Sequence, residues 1–499
     1  MKTVSTLTLC ALCALCAALL SLARVSEPAS AGTLEAAQRP NVVVLMTDDQ
    51  TLRSMRAMPR TRTLLGDAGA TFANSFVNNP RCCPSRATFL TGQYSHNHGV
   101  LTNGSPIGGW ERLQGTTNWL PTWLHQAGYR TAHVGKFLNN YGLVDPYEVP
   151  AGWDEWYATV DPTTYRYYGY TVNENGALRT HGGGQNPQGY STDFIARQSA
   201  EIVERLSAST QPFFLSVAFL APHTGSPREP EDPPGIGTPA VAARHKGAFA
   251  AAQLPQPASF DEADVSDKPP ALRRPRLGPQ AVGEITALYR QRLESLIAVD
   301  EGVERIVAAL RDVGELERTL IVFTSDNGYL AGEHRLRHGK AKVYEPAIRV
   351  PLLLRGPGVP RGVRPRQLVT NADLAPTVLD VAETIAGRMQ DGRSLLPLAR
   401  NPGLGRHRPV LVEVAKGARM QTTAIRTARW LYAEHTGGAT ELYDLVRDPY
   451  ELKSLHAVPG LAGLRAKLAF RLQALRRCRG FECRSVSGSW TFRSRRPGR

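Results

Sequence analysis

Four apolar runs along the chain each stop at polar side chains. Asn41-Val-Val-Val-Leu-Met-Thr47 ends at Asp48-Asp49, and Phe213-Phe-Leu-Ser-Val-Ala-Phe219 leads to Ala221-Pro222-His223. Thr319-Leu-Ile-Val-Phe-Thr-Ser325 meets Asp326-Asn327-Gly328, and Tyr129 to Val134 meets Gly135-Lys136. Short, near-continuous hydrophobic runs of this kind predict strands buried on both faces, as in a parallel sheet. Amphipathic helical patterns lie between them, from Trp119 to Ala127, Asp193 to Leu206 and Gly283 to Val313. Alternating strands and helices predict an α/β fold with a large, mainly parallel central sheet sandwiched by helices. In such sheets ligands sit beyond the carboxyl ends of the strands. Four strands should therefore deliver ionisable or amide groups to one edge.

The pattern changes twice. From about Pro227 to Pro279 the chain is rich in proline and charge, which predicts a long surface excursion that shapes the substrate entrance. From about Arg406, short strand-like runs (Pro409 to Val414, Trp430 to Glu434, Glu441 to Leu445) lead to a helix near Leu461 to Arg476. This predicts a smaller C-terminal α+β subdomain. The expected division is a catalytic domain at 39–400, the subdomain at 406–485 and a basic tail at 486–499. Residues 1–31 have the layout of a secretory signal peptide: Met1-Lys2, an apolar run from Leu7 to Leu22, and Ala29-Ser30-Ala31 as a small-x-small cleavage site. An N-terminal membrane anchor is the alternative. No later segment is apolar for long enough to span a bilayer, so the expected destination is secretion, with no membrane span after signal removal.

Composition is ordinary for a globular protein, at 42% hydrophobic and 21% charged over 499 residues. The net charge of +15 suits an anionic or sulfated partner. The arginines are scattered and no nucleic-acid-binding motif is present, so no nucleic-acid partner is expected. Of seven cysteines, Cys10, Cys13 and Cys16 lie in the leader. Cys478 and Cys483 have the spacing of a small disulfide loop in an oxidising compartment. Cys82 and Cys83 are then left without obvious partners.

Those two open the most informative segment, Cys82-Cys83-Pro84-Ser85-Arg86-Ala87-Thr88-Phe89-Leu90-Thr91-Gly92. Adjacent cysteines suit a tetrahedral zinc site poorly, even with His96 and His98 nearby. A cysteine-phosphatase loop would need an arginine six residues after the nucleophile, where Thr88 and Phe89 stand. The segment instead resembles the signature of the type I sulfatases, within the alkaline phosphatase-like superfamily: Cys-x-Pro-Ser-Arg, a helical run, then Thr-Gly. The resemblance covers about residues 39 to 455. It implies that Cys82 is converted to Cα-formylglycine by a formylglycine-generating enzyme, with Cys83 at the variable position. An aldehyde hydrate offers two hydroxyls, one to attack sulfur and one whose collapse expels sulfate without water attacking sulfur.

The family's other functional positions fall on the strand ends. Asp48 and Asp49 resemble one pair of metal ligands and Asp326 and Asn327 a second pair, with Cys82 as a further ligand once modified. Four hard oxygen donors suit Ca²⁺ or Mg²⁺. Arg86 resembles the residue that stabilises the hydrate. Lys136 and Lys340 resemble two sulfate-binding lysines, with Lys342 the weaker match. His223 resembles the histidine that protonates the leaving alcohol. One position departs: Leu138 stands where many sulfatases carry a histidine that acts as base in sulfate elimination. His133, His96, His98 or water are the candidates for that role. Gly135-Lys136-Phe137-Leu138-Asn139 resembles the N-acetylglucosamine-6-sulfatases and the extracellular heparan sulfate endosulfatases. So do Tyr94, His96-Asn97-His98 and Pro150-Ala-Gly-Trp153-Asp-Glu-Trp156. Asn371-Ala-Asp-Leu-Ala-Pro376 and Glu441-Leu-Tyr-Asp-Leu with Asp448-Pro449 are sulfatase-like more generally. The implied activity is hydrolysis of an organic sulfate ester, with a sugar 6-O-sulfate as substrate. The same fold also hosts aryl sulfatases and phosphonate monoester hydrolases. An inactive homologue that binds anionic glycans is the reading from another class.

Overall fold

The computed structural model describes residues 39–104, 106–183, 189–405 and 408–485. The expected signal peptide and the basic tail after 485 lie outside them.

Among the described residues, nine strands form one sheet in the order β2-β10-β9-β1-β8-β4-β5-β6-β7. They are β1 (Asn41–Thr47), β2 (Ala70–Thr71), β4 (Arg130–Lys136), β5 (Glu155–Thr159), β6 (Tyr170–Glu174), β7 (Ala177–His181), β8 (Phe213–Ala218), β9 (Thr319–Ser325) and β10 (Leu352–Arg355). The five central strands β9, β1, β8, β4 and β5 pair in parallel. The outer pairs are antiparallel. The four apolar runs of the sequence are four of the five central parallel strands, and they are neighbours. Their carboxyl ends therefore open on one edge.

Burial on both faces explains their composition. Val42, Val44 and Met46 pack on one side with the helices α1 (Cys82–Thr91), α2 (Leu120–Gln126) and α5 (Leu374–Val381). Val43 and Leu45 pack on the other with α3 (Ser191–Ser207) and the long α4 (Pro279–Asp312). A strand wedged between two helical layers has no polar face, so the period-2 alternation disappears. Glycine is required at one point in β4: a Cβ on Gly135 would sit 2.1 Å from the Ala218 carbonyl oxygen, at a φ of +104°.

A two-stranded parallel ladder joins β3 (Asn74–Phe76) to β11 (Leu368–Thr370). The C-terminal subdomain is a four-stranded antiparallel sheet of β12 (Val410–Lys416), β13 (Arg419–Arg426), β14 (Trp430–His435) and β15 (Thr440–Asp444). Helix α6 (Ala462–Leu475) buries Leu468, Leu472 and Leu475 against Leu411, Ile425 and Leu442 of that sheet. The Cys478–Cys483 disulfide is formed beside them. The 227–279 excursion is largely irregular, and Leu254, Pro255, Pro257 and Ser259 line a cavity of about 320 Å³ with Arg292 and Tyr329. None of the expected catalytic residues lines it. No described helix is long and apolar enough to cross a membrane.

Candidate active site

The site is built from four strand ends, one helix start and the loop that carries Lys340. Asp48 and Asp49 follow β1, Asp326 and Asn327 follow β9, Lys136 ends β4, and His223 lies beyond β8. All but the half-buried His223 are almost wholly buried. Asp49 takes φ = +67°, a left-handed conformation that aspartate tolerates better than most residues. Its N–H donates to Asp326 Oδ1 at 3.1 Å, and its carbonyl accepts from Arg292, which also donates to the Pro222 carbonyl at 2.9 Å.

Helix α1 brings the cysteine segment to this edge. Cys82 is its first residue, and Arg86, one turn later, lies on the same face. Asn371 donates from Nδ2 to the Ser85 hydroxyl at 2.9 Å and accepts from the Asn78 N–H at 3.0 Å. Asp391 accepts from the Tyr94 N–H at 2.7 Å and from Asn97 at 2.8 Å. These motif positions anchor the helix and do not touch the reacting centre.

The expected residues meet at Cys82. Its Sγ is 3.3 Å from Asp48 Oδ1 and 2.7 Å from Lys340 Nζ. Lys340 also pairs with Asp49, and Lys136 pairs with Asp48. Arg86 Nε donates to Asp326 Oδ2 at 2.9 Å and its Nη1 to the Lys136 carbonyl at 2.8 Å, while Nη2 has no hydrogen-bond partner. Asn327 Nδ2 donates to Asp49 Oδ1 at 2.6 Å, and its buried Oδ1 has no partner. Among the described residues, Lys342, two positions beyond Lys340, forms no ion pair with these groups.

Burial pushes the Cys82 thiol up to about 12, and the Asp48 carboxylate adds to it. The helix N-terminus would favour an anion here, but burial and Asp48 outweigh it, so the sulfur is a protonated thiol and a poor nucleophile at neutral pH. Burial alone would raise Asp48 too, yet Lys136, His223, Lys340 and Arg86 hold it well below the usual carboxylate range. Asp326 goes the other way, lifted to about 6 by burial and by Asp48 against the pull of Arg86. His223 Nδ1 lies 2.6 Å from the Thr224 carbonyl oxygen, which can only accept, so Nδ1 carries the proton. Its Nε2 faces Asp49 Oδ2 at 3.7 Å. Burial lowers this histidine to about 4 despite both aspartates.

The donor set fits a hard divalent cation. Asp326 is tied to this group through the Asp49 N–H and Arg86, and Asn327 meets Asp49 through Nδ2, leaving its Oδ1, a carbonyl-type donor of the kind such ions take, without a partner. Asp48, Asp49, Cys82 and His223 each offer a ligand atom within 4.8 Å of the others.

Two residues of the site carried no signal in the sequence reading. The Tyr165 hydroxyl accepts from Lys136 Nζ at 3.1 Å and from Asn139 Nδ2 at 2.5 Å, and its ring lies 4.7 Å from that of His223. Tyr165 opens the run Tyr165-Arg-Tyr-Tyr-Gly-Tyr170, the one hint available. Arg292 sits mid-helix with no local mark. Of the three alternative histidines, His96 and His98 are bonded through both ring nitrogens, while His133 lines a small cavity with Arg86 and Lys136 and its buried Nε2 has no partner. His96 bonds Glu413 and the Cys478 carbonyl, His98 bonds Thr88 and the Val100 N–H, and His133 stacks on Trp156 at 4.9 Å with Nδ1 at Ser216. Leu138 is buried in the core.

The family model described as Sulfatase matches residues 40–385, and that of the N-sulphoglucosamine sulphohydrolase C-terminal region matches residues 332–478. An extracellular sulfatase Sulf-1 homolog of Caenorhabditis elegans is 38% identical over 365 residues, 72% of this chain and 49% of that protein. The chain thus spans about half the length of that relative. Human N-acetylglucosamine-6-sulfatase is 34% identical over 504 residues, 91% of this chain and 87% of that protein. Among solved structures, one described as a complex with its substrate D-glucosamine-2-N,6-O-disulfate has a TM-score of 0.71 at 24% identity, covering 87% of this chain and 97% of that one. The phosphonate monoester hydrolase of Agrobacterium radiobacter has a TM-score of 0.63 at 24% identity, covering 88% and 95%.

Proposed function

The chain belongs to the sulfatase family and is a sulfuric ester hydrolase, and we propose that it acts on a sugar 6-O-sulfate through a formylglycine derived from Cys82. The observation that carries this reading is the setting of Cys82. A buried thiol pushed up to about 12 is unsuited to thiolate chemistry, yet it sits in contact with Asp48 and Lys340 and within 4.8 Å of ligand atoms of Asp49 and His223. The residue type present is the precursor of the working group. Once converted, its hydrate supplies a hydroxyl nucleophile and a second hydroxyl whose collapse frees sulfate.

Asp48, Asp49, Asp326 and Asn327 would hold a divalent cation, with Ca²⁺ favoured over Mg²⁺ because flexible, carboxylate-rich oxygen sets suit it. Such a cation lowers the charge barrier between an anionic ester and an oxygen nucleophile. Lys136 and Lys340 stay protonated beside the carboxylates and hold the ester's peripheral oxygens. Arg86 braces Asp326, and its Nη2, which faces Asp48 at 3.8 Å without a hydrogen bond, is left to donate to the hydrate. His223 has Nδ1–H fixed on Thr224, so Nε2 is the atom that must pick up a proton and deliver it to the leaving alcohol. A bound anionic ester raises the proton affinity of that nitrogen. Tyr165 holds Lys136 in place from the side of the leaving group. With Leu138 in the core and both ring nitrogens of His96 and His98 bonded, His133 or water is the base for sulfate elimination.

The sugar 6-sulfate assignment is supported by the N-acetylglucosamine-6-sulfatase likeness over 91% of the chain. Secretion is supported by the leader pattern of residues 1–31 and by extracellular sulfatases among the relatives. Maturation then needs a formylglycine-generating enzyme in the producing cell. The test is the mass of the peptide carrying Cys82 to Arg86, in protein secreted by its native cell. Formylglycine at position 82, with turnover of a glucosamine 6-sulfate, sustains the reading. Two unmodified thiols there overturn it and leave an anionic-glycan-binding homologue.

A further inference from the structure

The scatter of arginines along this chain has one exception. Residues 461–499 hold eleven Lys and Arg against a single acid, Glu482, so this short stretch carries +10 of the net +15. It begins with α6 and the Cys478–Cys483 loop. It ends in the tail, where Trp490, Phe492 and four arginines stand without an acid.

Helix α6 has two faces. Leu468, Leu472 and Leu475 are buried on the C-terminal sheet. Lys467, Phe470 and Ala474 follow one another at three- and four-residue spacing on the outer side, and all three are exposed. The Arg477 N–H donates to the Ala474 carbonyl at 3.2 Å, so the turn continues and the exposed Arg477 extends that row. Phe470 is 77% exposed and Phe481 is 73% exposed, the two most exposed aromatic side chains among the described residues. Phe481 does not sit on a loose end. Its loop is closed by the disulfide, and the Gly480 N–H donates to the buried Asp391 Oδ1 at 2.7 Å. A Cβ on Gly480 would lie 3.1 Å from Met389, so Met389, itself largely exposed, borders the same loop. Among the described residues, the side chains of Lys467, Arg477 and Arg479 form no ion pair.

Large apolar side chains held outward beside unpaired cations mark a contact surface. A second copy of the chain would bring the same positive charge, and like charges repel. A polyanionic chain would pair with the cations but leave both phenylalanines in water. An anionic lipid surface uses both groups, since aromatic rings enter the boundary between headgroups and acyl chains while Lys and Arg take the phosphates above it. We propose that the outer face of α6 and the Cys478–Cys483 loop dock this protein on an anionic phospholipid surface. Phe470, Phe481 and Met389 enter the boundary layer, and Lys467, Arg477 and Arg479 hold lipid phosphates. The protein then lies on the membrane, in keeping with the lack of a described helix able to cross one. This inference stands on the C-terminal subdomain and does not depend on the reading of Cys82.

The test is co-sedimentation of the full chain, tail included, with two kinds of vesicle at low salt: phosphatidylcholine alone, and phosphatidylcholine with phosphatidylglycerol. Wild-type protein should bind the second kind and not the first, and should be released as salt is raised. K467Q/R477Q should weaken binding about thirtyfold, at about fivefold for each cation near an anionic surface. F470S/F481S should weaken it at least about tenfold through lost apolar burial, at an unaltered thermal midpoint, because both rings are exposed in the folded protein. Equal binding to both vesicles, binding to neither, or undiminished binding by F470S/F481S overturns the proposal. Heparin chains serve as the competing probe: protein that binds heparin and no vesicle would make this face a glycan surface instead.

Discussion

His98 should make this protein lose stability in mild acid, and by an amount that can be worked out. The residue is 1% exposed. Its Nδ1 accepts the Val100 N–H at 3.1 Å, so that nitrogen carries no proton, and Nε2–H is left to donate to Thr88 Oγ1 at 3.0 Å. A second proton would break the Val100 bond and bury a charge. Burial, followed by the neighbouring His96 and Arg388, lowers the histidine from the ordinary 6.5 to about 3. A histidine depressed in the folded state contributes stability that is present above 6.5 and is lost as pH falls towards 3. The slope is about 1.4 kcal/mol per pH unit for one group, or about 2 kcal/mol at pH 5. His96 has the opposite sign. Burial would lower it, but Glu413 outweighs that and lifts it to about 9, so its contribution is complete below 6.5 and is lost as pH rises through 9. It does not mask the acid limb. Urea unfolding at pH 7.5, 6.5, 5.5 and 5.0, at fixed calcium, should show a shallower acid limb for His98→Gln than for wild type. The difference in slope should be about 1.4 kcal/mol per unit. Parallel curves for the two proteins would refute the reasoning, as would an NMR titration that places His98 near 6.

Three further outcomes follow from the geometry. Tyr165→Phe removes the acceptor of Lys136 and Asn139 while sparing the ring. It should lower kcat about tenfold, the worth of one charge-assisted hydrogen bond, with little change in thermal midpoint, and an unchanged kcat would exclude the positioning role. Asn327→Ala deletes the unpartnered carbonyl donor. Titration of chelator-treated enzyme with Ca²⁺ should then need at least about ten times more calcium to restore turnover, and identical titration curves would remove Asn327 from the ligand set. Leu472→Ala empties a fully buried site between α6 and the C-terminal sheet. It should cost about 2–5 kcal/mol by denaturant unfolding, and a loss under about 0.5 kcal/mol, the range of surface substitutions, would mean that α6 is not docked as described.

Much of this protein was legible one residue after another. The runs at 41–47, 129–134, 213–219 and 319–325 declared buried strands because burial on both faces removes polar side chains from consecutive positions. The polar residues at their ends declared the functional edge, since a parallel sheet puts every carboxyl end on the same side. The spacing of Cys82 and Arg86 fixed a shared helix face, because one helical turn is a local property. The Cys478–Cys483 loop was readable for the same reason.

Other features depended on distant segments. Short strands such as β2, β10 and β11 have little pattern of their own, and they pair because neighbours supply the other half of each ladder. Tyr165 and Arg292 joined the site through contacts with Lys136 and with the Asp49 carbonyl, which lie 29 and 243 positions away. The motif around His96-Asn97-His98 offered candidate bases. Packing then tied those rings to Glu413, Cys478, Thr88 and Val100, because a buried polar atom left without a partner costs free energy. Asp48, Cys82, Lys136, Asp326 and Lys340 come from five separate stretches of chain. The identities of these residues are local, but their meeting is not: linear order says which charges a chain carries, and only the folded path decides which of them must share a surface.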